Sequence, residues 1–274
     1  GQIGLLAKER LGTPMVHVMH TMGRVKNLSL AAGEPPEPSG RITAESEIVR
    51  HADRLVANTA RERDELVGLY GADRERIDVV HPGVDLTVFT SGRRDDSRSR
   101  LGIAADERLV LFAGRIQPHK APDVLVRAVA QMRRRPRLVI IGGRSGAEMR
   151  LGDGVEVLPP VTHRELADWY AAADVVCVPS YSESFGLVAL ESQACGTPVV
   201  AARVGGLTTA VVDGVTGVLV DGHAPRAYAS AIDELLDDRA MHAAMSAKAV
   251  AHASVFTWQA TTDRLLESYA KVVA

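Results

Sequence analysis

Short runs rich in Val, Ile and Leu recur along this chain, and a helix-length segment separates most of them from the next. They are Leu-Val-Leu-Phe-Ala at 109–113, Leu-Val-Ile-Ile at 138–141, Val-Glu-Val-Leu at 155–158, Asp-Val-Val-Cys-Val at 174–178, Thr-Pro-Val-Val-Ala-Ala at 197–202 and Thr-Gly-Val-Leu-Val at 216–220. Strands without polar alternation are buried on both faces, and strands joined through helices pair in parallel. The pattern therefore constrains the chain to an α/β fold built on a doubly wound, Rossmann-like sheet. The first third carries a shorter version, with strand runs at 13–21, 54–58 and 77–80 and helical periods at 1–10, 41–51 and 59–70. Thr59 with Glu62, and Thr162 with Glu165, have the spacing of capping boxes. Three further helices are expected near 224–238, 239–253 and 257–273.

With 274 residues, two such domains fit. The expected division is 1–90 as the C-terminal part of a first, incomplete domain and 108–252 as a complete second one. The polar, mixed-charge stretch 91–107 reads as a linker, and 253–274 as a helix crossing back to the first domain. Residue 1 is a glycine and 1–10 reads as the interior or end of a helix, so an upstream part is expected.

A formal net charge of −2 provides no field that would draw the whole chain to nucleic acid or a membrane surface. No apolar run reaches the ~18 residues that span a bilayer. Cys177 and Cys195 fall in a predicted strand and helix and make no metal spacing, which fits a reduced, cytoplasmic setting. There is no Gly-x-Gly-x-x-Gly dinucleotide fingerprint and no Gly-Lys-Ser/Thr phosphate loop, which argues against a dehydrogenase or an ATPase. No Ser-His-Asp set has hydrolase spacing; His81, His119 and His163 are scattered.

The chemistry gathers on loops that follow strands, because those loops share the carboxyl edge of one sheet. The loops bring Gly114 with Arg115 and Lys120, then Gly142 and Gly143, then Glu183, then Gly205 and Gly206. Two cations neutralise a diphosphate, and glycines let backbone approach a ligand. Glu183 and Glu191 have seven residues between them, about 12 Å along one face if both lie on a helix. Such a pair can hold two ends of one ligand; it can equally be a helix-start acid and a solvated one. Gly23, Arg24, Lys26 and Asn27 form a basic turn after the first strand, either an anion or sugar contact or an ordinary solvated loop.

The pairing of Gly114-Arg115-x₄-Lys120 with Glu183-x₇-Glu191 resembles the donor domain of the retaining GT-B glycosyltransferases of family 4, and the resemblance covers essentially the whole chain. His20-Thr21, Lys26-Asn27, Phe112 to Lys120, Ser184 to Val188 and Ala201 to Leu207 are similar to a narrower group in that family. Its members move N-acetylglucosamine (GlcNAc) from UDP-GlcNAc to 1D-myo-inositol 3-phosphate, in mycothiol biosynthesis of actinobacteria. The resemblance implies that Arg115 and Lys120 bind the donor diphosphate and steady the departing UDP. It implies that Glu191 accepts from the ribose hydroxyls, that Glu183 meets the transferred sugar and that Val161 lies at the uracil. Arg115, Lys120 and Glu183 would be the catalytic set. Thr21 and Arg41 match acceptor-phosphate ligands; a Lys and a Tyr of that site would lie upstream of Gly1. Tyr170, Ala171, Ala173 and Thr197 match a magnesium site built partly from main-chain oxygens, a structural ion, since the chemistry itself needs no cofactor. The partners implied are a UDP-sugar, a small phosphorylated cyclitol or sugar, and a second copy of the chain as a homodimer. Open alternatives are a family 4 transferase with another sugar or acceptor, a non-catalytic nucleotide-sugar-binding fragment and a sugar-nucleotide epimerase. A shortened 143–154 region is expected to alter the edge of the donor pocket.

Overall fold

The computed structural model describes residues 1–31, 33–143, 151–152 and 155–273. The chain divides into two units, Gly1–Gly83 with Trp258–Ala274, and Val84–Thr257. The 144–150 and 153–154 stretches, where a shortened donor-pocket edge was expected, lie outside the described residues.

The first unit has three parallel strands, β1 (Val16–Val18), β2 (Arg54–Ala57) and β3 (Ile77–Val79), in that spatial order. Around them lie α1 (Gln2–Leu11), α2 (Gly23–Asn27), α3 (Ser39–His51) and α4 (Ala60–Tyr70). Only half of the first expected capping box forms: Thr59 Oγ1 accepts from Glu62 N at 3.0 Å, while the Glu62 carboxylate turns to Asn58 N. The basic turn at 22–27 is α2 rather than a loop. The last helix of the chain, Trp258–Val273, belongs to this unit, with Lys271 Nζ 2.6 Å from Asp78 and Thr261 Oγ1 donating to His81 O at 2.8 Å.

The second unit has six strands, β4 (Leu109–Ala113), β5 (Arg137–Ile141), β6 (Glu156–Leu158), β7 (Val175–Val178), β8 (Val199–Ala202) and β9 (Gly217–Val220). All are parallel, in the order β6-β5-β4-β7-β8-β9. The order reverses between β4 and β7, which makes their carboxyl ends the crevice where ligands of such sheets bind. Alternate residues of the central strands feed opposite faces. Leu109, Leu111, Val139 and Val176 pack with Tyr170 and Leu190 on one side, and Val110, Phe112, Ile140 and Val175 pack with Leu125, Tyr228 and Ile232 on the other. Both faces being covered explains why the sequence shows no polar alternation in these strands.

The helices of this unit are α5 (Arg94–Leu101), α6 (Pro122–Val129), α7 (His163–Ala172), α8 (Leu187–Ala194), α9 (Leu207–Ala210), α10 (Pro225–Asp237) and α11 (Arg239–Ala253). The stretch read as a linker contains α5, which packs on α7 as part of the second unit. Its docking groups are mainly arginines, with Leu101 its single apolar residue packed on the core, so it shows no hydrophobic period. Arg98 is 3% exposed and donates to Ala172 O at 2.9 Å and to Ala104 O, while Arg94 donates to Ala173 O at 2.6 Å. Asp95 and Asp96 at its start and Arg98 and Arg100 at its end complement the helix dipole. Among the described residues, no helix is long and apolar enough to cross a membrane.

Candidate functional site

At the switch point, β4 runs into a turn that carries Arg115 and ends in a short 3-10 segment, Pro118–Lys120. β7 runs into the loop that carries Glu183. The two loops meet: Lys120 Nζ lies 2.8 Å from Glu183 Oε1 and 2.6 Å from Oε2, with both side chains largely shielded from solvent. Arg115, earlier in the same turn as Lys120, is exposed. Backbone bonds lace the strand-end loops together. Ile116 N donates to Gly143 O, Gly142 N to Leu158 O, Tyr181 N to His119 O and Gly206 N to Glu183 O, at 2.8 to 3.0 Å. Each loop is thus braced by its neighbour, which fixes where the charged side chains start.

Ala121, directly after Lys120, has φ 52° and ψ 43°, the left-handed region, and is the only non-glycine among the described residues with positive φ. Such a conformation is costly for a side chain and collects at ligand sites. Pro122 disfavours the right-handed helical region for the residue before it, and Ala121 is fully buried, so the turn that presents Lys120 is held from both sides.

Three of the strand-end glycines have a role in the fold that the sequence did not show. A Cβ on Gly142 would stand 1.8 Å from Gly114 O, one on Gly205 2.1 Å from Glu183 O, and one on Gly206 2.3 Å from Ser184 O. These three glycines are required by neighbouring loop backbone. Gly205 and Gly206 are what lets the β8 loop press against the Glu183 loop.

Glu183 and Glu191 do not share a helix. Gly186, at φ 103°, turns the chain into α8, which begins at Leu187, so Glu183 lies in the loop before it. Glu191 sits inside α8 and accepts from the Tyr170 hydroxyl at 3.1 Å. Burial pushes its carboxyl up to about 7, with the Tyr170 hydrogen bond pulling the other way. It is therefore no solvated surface acid. Val161 is half-buried where β6 leads into α7, just before the complete capping box of Thr162 and Glu165. Cys177 and Cys195 are buried free thiols; burial pushes Cys195 up to about 12, so neither is a nucleophile at neutral pH.

Of Tyr170, Ala171, Ala173 and Thr197, the main-chain oxygens of Tyr170 and Ala173 already accept from protein donors. Thr197 Oγ1 donates to Tyr170 O at 2.6 Å, and the Arg94 guanidinium donates to Ala173 O. A guanidinium occupies the carbonyl that a divalent cation would need, and magnesium demands a near-octahedral oxygen shell. The residues do not fit a magnesium ion, and none enters the chemistry below. Among the described residues, no group of three or more His, Cys, Asp or Glu could hold a metal.

In the first unit, Arg41 Nη2 donates to both Thr21 O and Thr21 Oγ1 at 2.9 Å. Glu45 at 2.7 Å and Glu37 at 2.8 Å hold the same guanidinium from the other side. Glu45 also accepts from Gly23 N at 2.9 Å, tying the start of α2 to this cluster. Lys26 pairs with Glu37 at 2.6 Å, while Arg24 donates to Leu69 O and lies over the Tyr70 ring, 5.0 Å from its centroid. Glu37 and Glu45 went unnoticed in the sequence. Their four-residue spacing either side of Arg41 is the signal that would have found them.

Two family profiles match the chain. Residues 1–88 match Glycosyltransferase Family 4, and residues 93–252 match glycosyl transferases group 1. A D-inositol 3-phosphate glycosyltransferase of Thermobispora bispora is 54% identical, over all of this chain and 68% of that protein. A sucrose-phosphate synthase of Thermosynechococcus elongatus superposes with a TM-score of 0.90 at 30% identity, over 99% of this chain and 71% of that one. Anabaena Alr3699/HepE, solved in complex with UDP-glucose, shares the fold with a TM-score of 0.86 at 23% identity, over 98% of this chain and 76% of that one.

Proposed function

The chain belongs to the family 4, group 1 glycosyltransferases of GT-B fold, and from that membership we propose that it moves GlcNAc from UDP-GlcNAc to 1D-myo-inositol 3-phosphate with retained configuration. The observation that carries the donor half is the Lys120–Glu183 pair at the switch point of the second sheet. The acceptor follows the name of the Thermobispora relative, and the sugar follows the resemblance of the motifs.

In this reading the donor diphosphate takes the Lys120 ammonium, with Arg115 beside it, and frees Glu183 for the sugar hydroxyls. Glu191 receives the ribose hydroxyls and Val161 borders the uracil. Thr21 and Arg41 meet the acceptor phosphate, with Glu37 and Glu45 holding the guanidinium in place. The acceptor oxygen forms a bond to the anomeric carbon on the face from which UDP leaves. The bond from that carbon to the β-phosphate oxygen breaks, and the acceptor proton passes to the leaving phosphate. Glu183, freed from Lys120, accepts from the sugar hydroxyls and is not the nucleophile of a double displacement. It serves binding and charge.

The test supplies UDP-GlcNAc with inositol 3-phosphate, free inositol or 2-deoxystreptamine and measures UDP release. Release is expected only with inositol phosphate. UDP release with another acceptor, or none with inositol phosphate, overturns the assignment of acceptor and leaves the family standing. Product formed from UDP-GlcNAc without any acceptor would favour an epimerase.

The half-buried Glu191 adds a pH signature. With its carboxyl near 7, it is mostly protonated at pH 6, and ribose hydroxyls donate best to the ionised form. Binding of UDP at pH 6 therefore releases protons, up to about one per site, and at pH 8 it releases almost none. The affinity advantage of UDP over 2′,3′-dideoxy-UDP grows as pH rises through 7 and then levels off. Calorimetry in two buffers of different ionisation enthalpy checks this; the dideoxy ligand cancels the titration of the phosphate.

A further inference from the structure

Tyr170 and Tyr228 are the largest fully buried side chains among the described residues, and the polar end of Tyr170 is spent on one group. Its hydroxyl donates to Glu191 Oε2 at 3.1 Å. Both ends of the residue are anchored. The main-chain oxygen accepts from Thr197 Oγ1 at 2.6 Å, and Phe89 packs against the ring, with centroids 5.9 Å apart. A phenol held at its backbone and its face has one place to put its hydroxyl. A carboxylate on α8 that meets it inherits that orientation, and one of its oxygens is claimed from the protein side.

We propose that Tyr170 is a positioning residue for donor recognition: through its hydroxyl it holds the Glu191 carboxylate in the orientation that receives the ribose hydroxyls of the UDP-sugar. This rests on the reading of Glu191 as the ribose contact and gives the Tyr170 side chain a role separate from the main-chain oxygen considered above. An unheld carboxylate on a helix samples several rotamers, and fixing one beforehand removes that entropy from the binding step. The partial burial of Glu191 makes the hold more valuable, because a carboxylate shielded from water with too few donors favours its neutral form, a weaker acceptor.

Tyr170→Phe removes one oxygen and leaves the ring packing. The affinities of UDP and of 2′,3′-dideoxy-UDP are measured for wild type, Tyr170→Phe and Glu191→Ala, with steady-state kinetics beside them. The expected result for Tyr170→Phe is a roughly fivefold loss of UDP affinity with no change for the dideoxy ligand, so the preference between the two collapses by that factor. KM for the donor rises by a similar factor and kcat stays within about twofold. A merely structural tyrosine would lower both ligand affinities together. An unchanged preference in Tyr170→Phe, with preference lost in Glu191→Ala, overturns the role of Tyr170 alone. A preference retained in Glu191→Ala overturns the ribose reading of Glu191 itself. Should Tyr170→Phe fail to fold, Thr197→Val releases the other anchor of Tyr170, and the same preference is expected to fall about twofold; no fall there also overturns the proposal.

Discussion

Replacing Lys120 by alanine is expected to lower kcat with UDP-GlcNAc by about a hundred- to a thousandfold, as for the loss of one group that meets developing charge in a transition state. The departing diphosphate gains negative charge as the glycosidic bond breaks, and Lys120 is presented to it by a turn braced between Pro118, the left-handed Ala121 and Pro122. The change also strips Glu183 of the ammonium that neutralises it, and a bare carboxylate then faces an anionic donor. UDP affinity should fall as well. The companion change has the opposite sign for binding. In the resting structure Glu183 competes with the donor for Lys120, so Glu183→Gln is expected to bind UDP more tightly than wild type, by about two- to fivefold. Its turnover should nevertheless fall, because the sugar loses its charged acceptor. Calorimetry with UDP and a continuous UDP-release assay separate the two effects. A Glu183→Gln protein that binds UDP more weakly would mean that the ion pair orders the loops more than it competes with ligand. Wild-type turnover in Lys120→Ala would reduce Lys120 to a surface lysine with an acidic neighbour.

The sheet was legible because its strands are apolar on both faces. Strand β4 at 109–113 matches its apolar run at both ends, and β8 ends with its run at 202 but starts at Val199, after Thr197 and Pro198. The helix over Arg94–Leu101 was not legible, because it docks through guanidinium groups donating to carbonyls, and polar docking leaves no hydrophobic period. Lys120 and Glu183 could be placed on neighbouring strand-end loops from topology alone. That they bind each other could not be read, because the pairing depends on the reach of two side chains 63 residues apart. The two-carboxylate spacing misled about helix position: Gly186 delays the start of α8, and a glycine at positive φ is invisible in a composition that also fits a helix interior. Three of the glycines hold a contact that was not legible. Their type announced a close approach, and for Gly142, Gly205 and Gly206 adjoining loop backbone makes one, a fact of tertiary structure.

That last point yields the other large effect. Gly206→Ala is expected to destabilise the protein by roughly 3 kcal/mol and to abolish most donor turnover. Gly206 has φ −68° and ψ −15°, a conformation alanine adopts freely, so backbone strain contributes nothing. The obstacle is space: the new Cβ would lie 2.3 Å from both Phe185 Cα and Ser184 O, and backbone cannot rotate aside as a side chain can. The β8 loop must therefore lift off the Glu183 loop, and the hydrogen bond from Gly206 N to Glu183 O breaks as it does. The carboxylate that pairs with Lys120 then loses its brace. Gly68→Ala supplies the contrast within the same chain. Gly68 lies exposed in α4, where an added Cβ would meet no atom within 4 Å, and alanine there should raise stability by about 0.5–1 kcal/mol through helix propensity. Thermal unfolding of the two variants should move in opposite directions. If Gly206→Ala melts with wild type and still turns over donor, the two loops yield to each other, and the geometry of Glu183 does not depend on their contact.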